Sequence, residues 1–449
     1  MGQARQKRSD DVGMASNDRD VSTGDRVLGL RGFRIVGDES TPDELILTIE
    51  TTEQRPPLCP RCGTQARALG RYPVHYRDLP AFGMPVRLIW KRRRWQCPNP
   101  ACSTKTWSEE SDQMASGTTL TKRAAMEITR LVGQVHSVQE VADEFGVSWE
   151  VAMKAVIEFG EPLVEDEDRV GEVDELGVDE TSFLKAKPDQ RTQFATGLVD
   201  LGARKMIDFI EGNSADDLGA WIDRQPTEWL ERIKVVATDL TNSYRAGLSP
   251  ALDHAIRVAD PFHVTRLGAW TVDDVRRRVQ REELGHRGRR QDPLYKIRRL
   301  LLRGSERLDD RGWERVLAGI EVGDPKLEVT MAWLTKDALR EVYETGDVER
   351  ASLLLDNVIA ACEEEQIPEM RRLGRTLQSW RTEILAHHTT GASNGPTEGL
   401  NLIVKQVKRV AFGFRKFSNY RLRVLLRTGG VHWWRRPTPA LVFHPATGF

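Results

Sequence analysis

Three shortages bound what this chain can be. It contains no run of eighteen apolar residues, so no segment is long and apolar enough for a membrane-spanning helix. Cysteine is scarce, five in 449 residues, too few for a scaffold stapled by disulfides. Net charge is nearly nil, 66 Lys plus Arg against 67 Asp plus Glu, or -1 at pH 7. Total charge therefore says nothing for a nucleic-acid partner, and only the placement of the charges can. The first residues, Met1 to about Gly24, lack the apolar segment of a secretory leader. We expect 1–24 to be a disordered tail and the protein to be cytoplasmic, with no membrane partner.

What is present is uneven. At 39% hydrophobic residues the chain can build sizeable cores, and its length suits roughly three domains of about 150 residues. Basic residues crowd Lys91 to Arg94, Arg276 to Arg303 and Lys405 to Arg427, while acids crowd Glu161 to Glu180 and Glu363 to Glu365. Any one such run, taken alone, can be a solvated face.

Four of the five cysteines are paired by spacing, Cys59-Pro-Arg-Cys62-Gly and Cys97-Pro-Asn-Pro-Ala-Cys102. A Cys-Pro-x-Cys-Gly turn aims two thiolates at one tetrahedral ion, with Gly letting the backbone curl. Two such knuckles make a four-cysteine zinc site, assigned to a domain over 25–110. The strands expected between them are Val86 to Trp90 and Arg94 to Gln96. Arg92 and Arg93, between Trp90 and Trp95, are read as a DNA-facing edge. Cys362, alone in a helical stretch, reads as a core residue. Ser137 to Val151 reads as helix, tight turn at Gly146, and a second helix capped by Ser148. This is the helix-turn-helix pattern, placed in a domain over 111–170, although its second helix carries few basic residues.

From Glu172 the order of elements becomes the main signal. Strands are expected at Val173 to Asp179, Phe194 to Asp200, Lys205 to Ile210, Ile233 to Thr238 and Ala255 to Ala259. Helices are expected at Ser214 to Arg224, Asn242 to Leu252 and from about Pro261. Three strands, helix, strand, helix, strand, helix is the order of a ribonuclease H-like α/β domain, assigned to 171–270. In such a sheet the first and fourth strands are neighbours, so Asp179 and Asp239 at their ends would face one another. Divalent cations held there need oxygen ligands from separate elements. The third acid expected is Glu398, beyond a mostly helical insertion over 271–391 and within a last segment, 392–449. Arg276, Arg277 and Arg278 at the start of that insertion suit DNA backbone contact.

Ser393-Asn394-Gly395-Pro396 is a helix-start signal. The helix after it places Glu398, Asn401, Lys405 and Lys408 on one face, with Leu400, Ile403, Val404, Val407 and Ala411 against a core. Lys405, Lys408 and Arg409 are the residues expected to hold DNA here.

Together these segments resemble the ISL3 family of insertion-sequence transposases. The resemblance rests on the CPRCG knuckle, Val178-Asp179-Glu180, Thr238-Asp239, Ala259-Asp260-Pro261-Phe262-His263 and the SNGPTEGLN segment. It implies a DDE transposase with Asp179, Asp239 and Glu398 as ligands of Mg²⁺ (or Mn²⁺), and Asp260 and His263 beside them. It implies strand cleavage and transfer at terminal inverted repeats and target DNA, a structural Zn²⁺, and at least a homodimer on paired ends. Several readings stay open in the residues themselves. Glu180 is a rival inward acid, Asp239 and Asp260 can each cap a helix, Glu398 can be a dipole partner, and Glu383 is another third acid. A DNA-binding regulator derived from a transposase and a stand-alone metal-dependent nuclease are the competing functions.

Overall fold

The protein is described here from a computed structural model over residues 29–189, 191–248 and 250–434; the expected tail, 1–24, lies outside them. The chain divides into two compact units. Of the described residues, one holds 29–132, His136–Gly160 and 433–434; the other holds Gly133–Val135 and the described part of Glu161–His432.

The first unit is built on a sheet of β1 (Phe33–Asp38), β2 (Leu45–Thr51), β3 (Arg67–Ala81), β4 (Met84–Gln96) and β5 (Thr106–Ser108). Its order is β1-β2-β4-β3, with β5 on β4. The β3–β4 hairpin turns at Phe82-Gly83, both left-handed at φ 57° and 77°, the backbone that a tight hairpin turn requires. The strands expected at Val86 to Trp90 and Arg94 to Gln96 are one strand. Val86, Leu88 and Trp90 alternate into the core beside Ile49 and Tyr76.

Burial corrects the reading of Arg92 and Arg93 as a DNA-facing edge. Arg92 continues the inward row. It is 8% exposed, donates through Nε to Glu109 O and through Nη1 to Ser116 Oγ at 2.7 Å, and lies over the Trp90 ring at 5.2 Å. Arg93, 5% exposed, reaches the Thr51 carbonyl and sits over Trp95 at 5.7 Å. Only Lys91 and Arg94 of the basic run are exposed.

Three helices follow, α1 (Lys122–Gly133), α2 (Val138–Phe145) and α3 (Trp149–Val164). Ser137 and Glu140 form a reciprocal capping box at the start of α2. Gly146 ends α2 at φ 64°, and Ser148 Oγ accepts from Val151 N at 3.4 Å, as the sequence signals require.

The second unit centres on β6 (Glu175–Leu184), β7 (Gln193–Asp200), β8 (Lys205–Glu211), β9 (Val235–Thr238) and β10 (Ile256–Ala259). The sheet order is β10-β9-β6-β7-β8. β6 to β8 run antiparallel in succession, whereas β9 and β10 run parallel to β6. The expected adjacency of the first and fourth strands is therefore present. Between strands lie α4 (Ala215–Ile222), capped by Ser214, α5 (Thr227–Arg232), absent from the sequence reading, and α6 (Asn242–Leu248). Leu218, Trp221, Tyr244 and Leu248 bury these helices against Leu176, Val178 and Val236 of the sheet.

α7 (Pro261–Leu284) starts at the end of β10 and runs unbroken through residue 271, where the insertion was placed. It packs with α8 (Pro293–Leu301), α9 (Asp310–Gly323), α10 (Glu328–Glu344), α11 (Val348–Glu364), α12 (Pro368–Ser379) and α13 (Arg381–Thr390) around a common apolar core that includes Cys362. Arg276 faces into this bundle at 4% exposure. It is paired with Asp273 Oδ1 at 2.6 Å and donates to Gln280. Arg278 is met by Glu328, Glu369 and Glu282 at 2.5, 2.9 and 3.1 Å. Neither is free for a phosphate: Arg276 is tied down within α7 and Arg278 ties α7 to α10 and α12, which corrects their assignment as DNA contacts. Arg277 is half exposed and paired with Asp273 Oδ2.

α14 (Gly395–Val410) and α15 (Phe417–Thr428) return to the sheet. Tyr420 of α15 stacks on Phe183 of β6 and meets Phe209 of β8 edge-on, centroids 5.6 and 5.0 Å apart. α14 approaches β6 closely because Gly177 has no side chain. A Cβ there would meet Thr397 Oγ1, and would stand 2.6 Å from Leu201 Cδ2 and 2.9 Å from Asn394 Oδ1.

Candidate active site

Register places the acids. Val178 pairs with Thr238 and Thr238 with Ala259, the last paired residues of three parallel neighbours. The next residue on each strand is an aspartate: Asp179, Asp239 and Asp260. The carboxyl ends of parallel strands are where ligands gather in α/β sheets. α14 brings Glu398 to the same place, and Asp179, Asp239, His263, Glu398 and Asn401 line one cavity of about 500 Å³.

Each acid is held differently. Asp179, 7% exposed, accepts from Asn401 Nδ2 at 2.6 Å and from the Glu180 amide at 2.8 Å. Burial, with the Asp239 charge adding to it, pushes its pKa up to about 7. Asp260 caps α7. Its Oδ2 accepts from the His263 amide at 3.2 Å and lies 2.9 Å from His263 Nδ1, while its Oδ1 accepts from the Asn394 amide at 2.9 Å. Asp260 is thus a capping residue that also orients His263. His263 Nδ1 stands 2.9 Å from Asp239 Oδ1 as well. Burial disfavours the charged imidazole, but the two carboxylates outweigh it and raise its pKa to about 10. The Nδ1 proton cannot serve both acids. It is directed at Asp260, and Asp239 Oδ1 is left buried without a directed hydrogen bond.

Glu398 is half-buried. Burial and then the Asp260 charge raise its pKa, while His263 and Arg266 draw it back. One ligand atom each from Asp260, His263 and Glu398 lie within 4.8 Å of one another. Asp260 Oδ2 already faces the His263 amide and Nδ1, and the two carboxylates favour a proton on the imidazole, so a cation held here would compete with that proton. Asp179, Asp239 and Glu398 line the same cavity. They offer oxygen donors from three elements, and Asn401 Oδ1 beside them is buried without a hydrogen-bond partner.

The rival acids are engaged elsewhere. Glu383 pairs with Arg245 at 2.5 Å, and Glu180 accepts from Asn213 Nδ2 at 2.6 Å, although it borders the same cavity. Of the basic residues expected on α14, Lys405 is exposed at the cavity rim and Arg409 is exposed, whereas Lys408 donates to Ser182 O at 2.7 Å. Asn401 and Asn394 were not assigned roles from sequence. Asn401 was legible one turn beyond Glu398. Asn394, which also donates to Val178 O at 3.1 Å, ties α14 to two strands and had only its turn signal to mark it.

In the first unit the four cysteines converge. Cys59 and Cys102 sulfurs lie 3.9 Å apart, and those of Cys62 and Cys97 3.5 Å. A disulfide would need about 2.05 Å. Tetrahedral zinc with bonds of about 2.3 Å places sulfurs about 3.8 Å apart, which these distances match.

Two family models match this chain. A transposase family model of the DDE ISL3 type matches residues 176–424, and one for the zinc-finger of transposase IS204/IS1001/IS1096/IS1165 matches residues 55–102. The chain is 26% identical over 376 residues to the transposase for insertion sequence element IS1001 of Bordetella parapertussis, covering 82% of this chain and 87% of that one. It is 27% identical over 299 residues to the transposase for insertion sequence element IS1557 of Mycobacterium tuberculosis, 62% of this chain and 64% of that one. A shorter match, 36% over 110 residues, is to a Lactococcus lactis protein named ATP-dependent protease; it spans 24% of this chain and carries no argument about activity.

Proposed function

The chain belongs to the ISL3 transposase family, and on that premise we propose that it cuts and joins DNA at the ends of an insertion sequence by metal-dependent phosphoryl transfer. One observation carries the reading. Asp179 and Asp239, in register at the ends of parallel strands, line one cavity with Glu398, and Asp239 keeps a buried oxygen without a directed donor. Asp179, Asp239 and Glu398 would hold Mg²⁺ or Mn²⁺. Such ions, when bound, polarise the phosphate and stabilise both the attacking and the leaving oxygen.

The protein's own residues do the positioning. Asn401 fixes the Asp179 rotamer through the 2.6 Å bond. His263, cationic between Asp239 and Asp260, offsets part of the acid cluster's charge. Lys405 supplies positive charge at the rim, where a DNA backbone would run. The sheet order, with the first and fourth strands adjacent and parallel, supports a ribonuclease H-like catalytic domain. The cysteine cluster would hold one structural zinc. α2 and α3, joined at Gly146, are the candidate helix-turn-helix; Glu150, Lys154 and Glu158 are exposed on α3, so major-groove reading there would depend little on charge. Binding of the inverted repeats falls to this first unit, and joining two ends requires at least a dimer.

The test is donor-plasmid excision by wild type, Asp239→Asn and Glu398→Gln. Each variant should keep its fold and end binding and lose at least about a hundredfold in excision. Wild-type excision by Glu398→Gln would remove it as the third acid.

A further inference from the structure

The face of α7 that leaves the acid site carries an aromatic ladder. Phe262, Arg266 and Trp270 stand four residues apart, one above another on a single face. Phe262 is 53% exposed and Trp270 51%, large apolar faces left in water. The Arg266 guanidinium lies over Trp270 at 4.4 Å and over Phe262 at 5.9 Å, a cation between two π faces. The lower end is anchored at the chemistry. The Phe262 ring meets His263 edge-on at 5.5 Å, and His263 contacts Asp239 and Asp260. Phe262 and Arg266 line the same cavity as Asp179, Asp239 and Glu398, and Leu402, 68% exposed, lines it from α14. The cavity therefore has an acidic floor and an aromatic, cationic wall.

We propose that Phe262, Arg266 and Trp270 form a stacking platform for unpaired DNA bases adjoining the phosphate at the acid site. This rests on the reading of that site as a DNA phosphoryl-transfer centre. The match is chemical and metric. Every base has a π face, so stacking on aromatics and guanidinium is tolerant of sequence. Eight residues of helix rise about 12 Å, between three and four stacking steps of roughly 3.4 Å. In a duplex those faces are covered by neighbouring pairs, so occupation of the ladder means that the DNA at the cut is locally unpaired. The acids take the phosphate, the outer faces of Phe262 and Trp270 take bases, Arg266 meets the backbone charge, and the ladder fixes how far the freed strand is turned out.

The test uses the full chain with calcium in place of magnesium. Fluorescence anisotropy follows a labelled thymidine dodecamer and a blunt duplex of the same length. Trp270→Ala and Phe262→Ala should each weaken single-strand binding about tenfold and leave the duplex Kd within about twofold. Trp270→Phe should restore most of the loss. Both positions are half exposed, so unchanged melting temperatures check the fold. Unchanged single-strand binding in both alanine variants, or equal loss on single strand and duplex, would overturn the proposal. Nicking of supercoiled plasmid in manganese by wild type and Glu398→Gln is scored alongside. If wild type does not nick but the ladder variants lose single-strand binding, the ladder stands and the phosphoryl-transfer reading falls. If wild type nicks and the ladder variants bind as tightly as wild type, the ladder alone falls.

Discussion

Asp179→Asn should make the metal-free protein more stable while destroying its activity. Asp179 is 7% exposed, and burial followed by the Asp239 charge raises its pKa from 3.8 to about 7. A carboxyl whose pKa is higher folded than unfolded favours folding when protonated. The folded state then binds more protons than the unfolded one, and stability falls as pH rises from about 4 through about 7. At pH 8 the full cost applies, about 2 to 4 kcal/mol from the gap between the two values. An amide removes it. The local bonds also survive the change: the amide oxygen can keep the Glu180 N–H, and the amide nitrogen can face Asn401 Oδ1, which is buried without a partner, once Asn401 turns over. His263, with its pKa raised to about 10, contributes stability that is complete below about 6.5 and fades as pH rises toward 10. It remains in both proteins, so it largely cancels in the difference.

The assay is thermal unfolding in EDTA at pH 8 and pH 5. At pH 8 the variant should melt roughly 4–10 °C above wild type. At pH 5 the advantage should shrink to under half, because folded Asp179 is then already protonated. Manganese at pH 8 should raise the wild-type midpoint, since binding only the folded state stabilises it, and raise the variant's far less. A variant that is less stable than wild type at pH 8 in EDTA, or an advantage that does not shrink with pH, would refute the view of Asp179 and Asp239 as a strained pair awaiting a cation.

Three further outcomes follow from particular contacts. Gly177→Ala should cost about 1–3 kcal/mol, read as a lowered melting temperature, and should reduce excision disproportionately because it pushes Thr397 and Asn394 away from β6. Cys59→Ser should release zinc, measured by metal analysis of the purified protein, and weaken binding of DNA ends; unchanged metal content would rule out the four-cysteine site. Lys405→Ala should weaken DNA binding and reduce the salt dependence by about one phosphate contact, whereas Arg276→Ala should lower stability and leave that slope unchanged, since Arg276 is buried against Asp273 and Gln280.

The sheet of the second unit was legible because its signals are local and ordered. Gln193–Asp200 and Lys205–Glu211 alternate around a turn, Ser214 announces α4, and Pro261 announces α7, so strand order alone put Asp179 beside Asp239. The contact of α14 with the sheet was legible only in part. Glu398 could be nominated, but Gly177 and Asn394, which let α14 reach β6, act through residues distant in sequence and carry no periodic signal. Thr227–Arg232 was missed because six residues show too little periodicity.

The basic runs misled for a reason that the structure makes general. A run of arginines on a strand alternates sides, so Arg92 went inward with Val86, Leu88 and Trp90 whatever its charge. On a helix every fourth residue returns to one face, so Arg276 fell in line with buried Val272 and Gln280. Charge density along a sequence therefore identifies a DNA surface only after the period of the element is applied. The same rule selects the residues of α7 that do reach solvent beside the acids. Phe262, Arg266 and Trp270 keep the helical period on the outward face, and a purely electrostatic search would have found only the arginine among them.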